Sequence, residues 1–303
     1  MSTLKSNVLL LLAAAIWGFA FVAQRVGMEY MGPFTFNGIR FLLGSMSLLP
    51  LIFYFRKKPQ PTGTVMTGAL LPGIAAGLIL FTAASLQQIG LIYTTAGKAA
   101  FVTCLYIVFV PIFGIFLKQH VNKVIWLSSL LALAGLYLLC VKESFSIAYG
   151  DLLQLIGALF WTVHILLIDH YAERVDVLRL SFFQFVTCGI LSIATALWQE
   201  TITIAGLTGG VIPILYGSFC SVGIAYTLQV VGQKYSPPAQ AAIILSMETV
   251  FATIGGFWLL DERLGLRELI GCVLMLSGML LTQLQSIRPD AVGELAEEAA
   301  SKS

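Results

Sequence analysis

The sequence predicts an all-α integral membrane protein with ten transmembrane helices, arranged as two inverted five-helix repeats. Three observations predict it. Of the 303 residues, 58% are hydrophobic and only 11% charged, and mean hydropathy is +0.91; a soluble domain carries about 25% charged residues. The apolar residues gather into runs long enough to span a bilayer, which takes about 20 residues each. The chain also repeats itself at an offset of 142–144 residues.

The spans are expected at about 8–26, 35–55, 65–87, 96–117, 123–141, 150–168, 178–198, 211–231, 237–260 and 266–284. The first follows Lys5 and holds Ala13 and Ala15 at leader-cleavage spacing. Its apolar residues continue through Ala23, which favours an uncleaved helix. Connectors such as RKKPQPTGT (56–64) and HYAERVD (170–176) are short and polar, with no room for a soluble domain. The acidic, small-residue tail RPDAVGELAEEAASKS (288–303) reads as disordered and cytoplasmic. With the N-terminus inside, inner segments carry eleven Lys and Arg and outer segments five. Cytoplasmic loops are the Lys/Arg-rich ones, so both termini are placed in the cytoplasm and the protein in the cell inner (plasma) membrane.

The repeat is visible in three windows. AIWGFAFVAQR (15–25) lies over LFWTVHILLID (159–169), pairing Trp17 with Trp161, and the same offset sets Arg40-Phe41 on Gln184-Phe185. AASLQQIGLIY (83–93) lies over AYTLQVVGQKY (225–235), pairing Gln87 with Gln229. Pro72 and Pro213 correspond with a one-residue slip. The units run 1–142 and 143–287. Five spans is an odd number, so the second unit inserts upside down. Inverted repeats with a site near the midplane are an architecture of secondary transporters.

Glu248 lies deep in the ninth span, where an ionisable group costs roughly 2.5–3.5 kcal/mol on insertion scales and is a functional-site hypothesis by default. Helix-to-helix hydrogen bonding, proton binding and solute binding are all open to it. Ile244, Leu245 and Ala252 share its face at helical spacing, and small Ala241 and Ala252 leave room beside it. Its repeat counterpart is Tyr106, with Thr103 one turn earlier. Trp17 and Trp161 sit deeper than an interfacial aromatic belt. His164 is one turn from Trp161, and Gln24 two turns from Trp17. Gln87 and Gln229 either bond between helices or line the pathway. Arg40 reads as an interface anchor that snorkels or pairs, and Lys98 as a charge capping the entrance to the fourth helix. Gly73 and Gly77 suit close helix contact. Asp261 and Glu262 read as solvated turn residues. The five cysteines fall in apolar runs without metal or redox spacing and read as small buried hydrophobes.

SMETVFATIGGFWLLDERLGLRELIGCVLMLSGMLL (246–281), its first-half counterpart TTAGKAAFVTCLYIVFVPIFGIFL (94–117), the AIWGFAFV start and Arg40-Phe41 together resemble the drug/metabolite transporter superfamily, in its ten-helix EamA-type members. The resemblance spans nearly the whole chain. It implies alternating access through a central cavity, usually to export metabolites, amino acids or drugs. The family pattern has proline directly after the glutamate. Here Thr249 stands there, which removes the residue expected to bend the ninth helix, while the fourth keeps Pro111.

Two other classes compete. An integral-membrane enzyme would need a nucleophile elbow, an aspartate-rich motif or paired histidine ligands, and three scattered histidines do not make a metal site. A non-transporting scaffold would leave an intramembrane glutamate unexplained. There is no P-loop for ATP. The expected partners are a small-molecule solute and the lipid bilayer, with the proton as one candidate coupling ion and facilitated diffusion as the alternative. No cofactor, metal, catalytic residue or nucleic acid is called for.

Overall fold

Helices form every regular element among the described residues, which in this computed structural model are 3–55, 66–93, 96–119, 121–140, 149–259 and 265–301. Eight helical stretches are long and apolar enough to cross a membrane, and two shorter apolar ones, Phe101–Phe116 and Lys123–Leu138, lie where the fourth and fifth spans are expected. Asp261, Glu262 and the 56–64 connector lie outside the described residues.

Helix α1 (Thr3–Gly27) leads to α2 (Pro33–Phe55), which starts on a proline whose missing N–H is harmless in a first turn. The N–H groups of Phe34 and Thr35 each donate to the Glu200 carboxylate at 2.8 Å, and the Thr35 hydroxyl donates at 2.6 Å. The orphan donors of α2 are thus met by an anion at the positive end of the helix. α3 (Leu70–Tyr93) follows. The next run divides into α4 (Ala96–Thr103) and α5 (Tyr106–Phe116). α6 (Lys123–Cys140) and α7 (Tyr149–Ala172) precede α8 (Val177–Gln199), whose cap is the Asp176 carboxylate accepting from Arg179 N–H at 2.9 Å.

The short α9 (Ile204–Gly209) is followed by α10 (Val211–Leu215), a π-helical segment Tyr216–Tyr226 and α11 (Thr227–Gln233), which run on as one apolar stretch. The ninth run again divides, into α12 (Pro238–Leu245) and α13 (Glu248–Leu259), and α14 (Leu266–Ser301) closes the chain. Two expectations are corrected. The fourth and ninth runs are broken rather than continuous. The backbone of α14 continues to Ser301 where an irregular tail over 288–303 was expected; GELAEEAA is rich in strong helix formers.

The two breaks have the same hydrogen bonds. Leu105 N donates to Val102 O and Ile107 N to Cys104 O; in the other half Met247 N donates to Ile244 O and Thr249 N to Ser246 O. Each bond is the tight three-residue kind that interrupts an α-helix, and each pair matches at an offset of 142. No proline is needed. Ser246 Oγ donates to Ile243 O at 2.8 Å and Thr249 Oγ1 to Ser246 O at 2.9 Å, and hydroxyls bonded back to the ladder bend helices. Thr249 thus marks a break without the proline, whereas Pro111 lies within α5, past its own break.

The most extensive packing joins the first half to the second: α6 with α14, α2 with α8, α3 with α7 and α8, and α1 with α13. Glycines set the α6–α14 seam. A Cβ on Gly135 would lie 2.5 Å from Gly271 O, and one on Gly278 would lie 2.7 Å from Ser128 O. Large apolar side chains such as Phe116, Trp198 and Ile204 point outward and are more than four-fifths exposed, while Asn7, Gln88, Gln154 and Gln184 are buried. That reverses the order of a soluble protein and suits a hydrocarbon surround.

Candidate functional site

Between the two broken helices lies a cavity lined by side chains from both halves of the chain. Ten of its lining residues form five pairs at the repeat offset: Trp17 with Trp161, Phe21 with Ile165, Gln87 with Gln229, Thr103 with Leu245, and Tyr106 with Glu248. The other four, Gln24, Arg40, Ser221 and Tyr226, have no counterpart in the lining. Their repeat positions hold Ile168, Gln184, Ile79 and Ala84.

Glu248 opens α13 and Tyr106 opens α5, so each break aims its first residue at the same point. The Tyr106 hydroxyl donates to Glu248 Oε1 at 3.3 Å, and the Cys104 thiol approaches the same oxygen at 3.4 Å. Glu248 is 7% exposed, and no basic side chain pairs with it among the described residues. Thr103 Oγ1 donates to Gln154 Oε1 at 2.9 Å, and Gln154 Nε2 to Gln87 O at 2.9 Å. Thus α4, α7 and α3 are laced together beside the cavity.

Both tryptophans turn their indole N–H groups to polar acceptors. Trp17 Nε1 donates to Ser221 O at 3.2 Å, and Trp161 Nε1 to Gln87 Oε1 at 3.0 Å. Ser221 belongs to the π-helical segment, a kind of distortion frequent at functional sites. Between the two indoles stands Tyr226, with ring centroids 4.7 Å from Trp17 and 6.3 Å from Trp161, the latter nearly parallel at 23°. Gln24 and Gln229 are buried, and their Oε1 atoms have no partner.

Of the nine side chains expected on the pathway, eight meet around this cavity: Glu248, Tyr106, Thr103, Trp17, Trp161, Gln24, Gln87 and Gln229. His164 does not. It turns toward α8, where its Nε2 lies 3.0 Å from Gln184 Oε1, and it is fully buried. Arg40 is corrected in the other direction. It does not reach an interface but lies buried in the cavity wall, because α2 packs its face on α8 and the π-helical segment. Cys104 is more than a buried hydrophobe, since its thiol faces Glu248. Phe21, Ile165, Ser221 and Tyr226 are not legible as lining residues in the sequence, while Leu245 carries two signals, as a residue on the Glu248 face and as the repeat mate of Thr103. Lys98 lies in the first turn of α4, its side chain outside the description.

A bundle of apolar helices around a cavity holding a carboxyl group and an aromatic wall is the outline of a membrane solute carrier. The chain belongs to the EamA-like transporter family, which it matches over residues 4–141 and again over 148–284, and it is a multi-pass membrane protein. An uncharacterized transporter of Archaeoglobus fulgidus is 32% identical over 282 residues, covering 91% of this chain and 85% of that protein. The uncharacterized inner membrane transporter YedA of Escherichia coli K12 is 24% identical, covering 89% and 87%. YoaV of Bacillus subtilis, also named an uncharacterized transporter, is 21% identical, covering 88% and 92%. A solved crystal structure shares the fold, with a TM-score of 0.79 at 18% identity over 95% of this chain and 99% of that one.

Proposed function

We propose that this protein is a secondary transporter that carries a small metabolite, amino acid or drug out of the cell by alternating access, with Glu248 as the proton-coupling group. The observation that carries the reading is the Tyr106–Glu248 hydrogen bond between the two helix breaks. It sets the one acidic group of the cavity lining at the junction of the two halves. Two further features support ten spans in two inverted five-helix repeats. The lining is built of repeat-related pairs. The helix pairings also survive exchange of the halves: α6–α14 and α2–α8 map onto themselves, and α1–α13 maps onto α7–α5. A site shared by two interchangeable halves can be opened to either side by motions related through a pseudo-two-fold axis, which is the geometry of alternating access. The Lys/Arg distribution supports cytoplasmic termini.

The second reading keeps Glu248 as a fastener only, and its bonds to Tyr106 and Cys104 favour that. Purified protein in liposomes decides between them. Solute accumulation driven by a pH gradient, lost in Glu248→Gln with solute binding kept, is the result expected of coupling. Unchanged gradient-driven transport in that variant leaves the fastener.

A further inference from the structure

Arg40 is a cation in the wall of the cavity without an anion to face. It is 3% exposed, and its guanidinium lies 4.9 Å from the Phe41 ring and 5.4 Å from the Phe36 ring. No carboxylate pairs with it among the described residues, and its Nε has no hydrogen-bond partner. Aromatic faces attract a guanidinium, but they do not accept its hydrogen bonds. Glu248, the acid of the same cavity, is already engaged by Tyr106 and Cys104. The two indole N–H groups are also occupied, by Ser221 O and Gln87 Oε1. Arg40 therefore keeps its donors for whatever enters.

The repeat sharpens this. The residue of the second half that corresponds to Arg40 is Gln184, which bonds His164 instead of facing the cavity. The halves share their aromatic walls and differ in charge here. A guanidinium left unpaired at membrane depth is costly, and a planar fork of donors matches a carboxylate.

Resting on the transporter reading, we infer that Arg40 receives a carboxylate of the solute, so that the cavity selects organic anions with a planar apolar body. The carboxylate bonds the guanidinium, and the body lies along the Trp17, Tyr226 and Trp161 rings. The two repeat-related tryptophans and Tyr226 supply the aromatic surface; Arg40 supplies the sign of charge.

Matched probes test it. Phenylacetate with phenylacetamide, and indoleacetate with indoleacetamide, differ in charge and hardly in shape. Their Kd values are measured by titration calorimetry on the full chain in detergent. A hydrogen-bonded charge pair gives the wild type a preference for each carboxylate over its amide of about tenfold or more. Arg40→Gln loses that preference and keeps the amide affinity, which shows that the variant is folded. Arg40→Lys keeps a reduced preference, since ammonium lacks the fork. Carboxylates binding the wild type no better than amides, or a preference that survives in Arg40→Gln, overturns the inference. Uptake into liposomes is measured beside binding. Carboxylate preference without uptake supports the anion site and removes the transport reading; uptake of the amides alone removes the anion site and leaves transport.

Discussion

Tyr106 and Glu248 stand 142 residues apart, each the first residue of a half-helix that follows a break, and their side chains hydrogen-bond at 3.3 Å. The bond crosses the boundary between the halves. Any motion that parts α5 from α13 must stretch or break it, so the pair is placed to sense which arrangement the halves adopt.

Removing the hydroxyl should therefore be felt in stability and in transport together. Tyr106→Phe loses one buried hydrogen bond to an acidic group, a change of about 1.5–3 kcal/mol where that group is ionised. Thermal unfolding of Tyr106→Phe, Glu248→Gln and the double variant measures the coupling. Strict additivity would show that the pair does not interact.

Glu248→Gln keeps the shape and hydrogen-bonding capacity of a protonated acid. Gradient-driven accumulation should fall about tenfold or more, the scale of one lost charge-assisted interaction, while binding and solute exchange persist. If Glu248 binds a solute amine instead, binding itself should fall by a similar factor at every pH. One variant in two assays separates the roles.

Trp161→Phe keeps a ring and removes the N–H that holds Gln87 Oε1 at 3.0 Å. The freed glutamine should reorient into the cavity and weaken aromatic solutes by about threefold to tenfold, as for a neutral hydrogen bond. Trp17→Phe, which frees a backbone carbonyl in the π-helical segment, should give a similar loss. Membrane expression at wild-type level with unaltered affinity in both would remove the tryptophans from the site.

The seam of α6 and α14 predicts a matched pair of defects. Gly135→Ala and Gly278→Ala each push a methyl toward a facing backbone carbonyl. Each should destabilise by about 1–3 kcal/mol, the usual cost of overpacking, and by similar amounts, read as parallel falls in Tm. A large fall in one and none in the other would show that the seam is not shared equally.

Orientation is tested at Gln60 and Phe145. Cysteine placed at 60 should react with an impermeant thiol reagent from the cytoplasmic side, and cysteine at 145 from the opposite side. Labelling of both from one side would overturn the topology.

Much of the site could be read in the sequence, for definite reasons. Glu248, Gln24, Gln87 and Gln229 are polar groups inside apolar runs, and Trp17 with Trp161 and Tyr106 with Glu248 repeat at the offset of the halves. Arg40 was misplaced because depth along a helix says nothing of facing; the packing of α2 on α8 and the π-helical segment turns it inward. Tyr226 had no repeat mate to mark it, since Ala84 stands there. Ser221 contributes through its carbonyl, and its setting depends on the π-helical winding, which no pattern of apolar spacing reveals. His164 does stand beside Trp161, edge-on with ring centroids 5.9 Å apart, but behind the lining, where its Nε2 meets Gln184. The ninth run reads as continuous because a helix bent by serine and threonine hydroxyls keeps its apolar composition.

The cross-packing of the halves also bears on how the chain is made. Neither half buries its own interior: α2, α3 and α6 all find their main partners beyond residue 148. During synthesis, the first half enters the lipid with Arg40 and Gln87 turned toward a partner not yet translated. Those side chains would hold the nascent half in a loose, protease-sensitive state. Maturation should then be abrupt, completed when the C-terminal α14 reaches α6. Two separately expressed fragments, divided within 141–148, should accumulate together and be degraded apart.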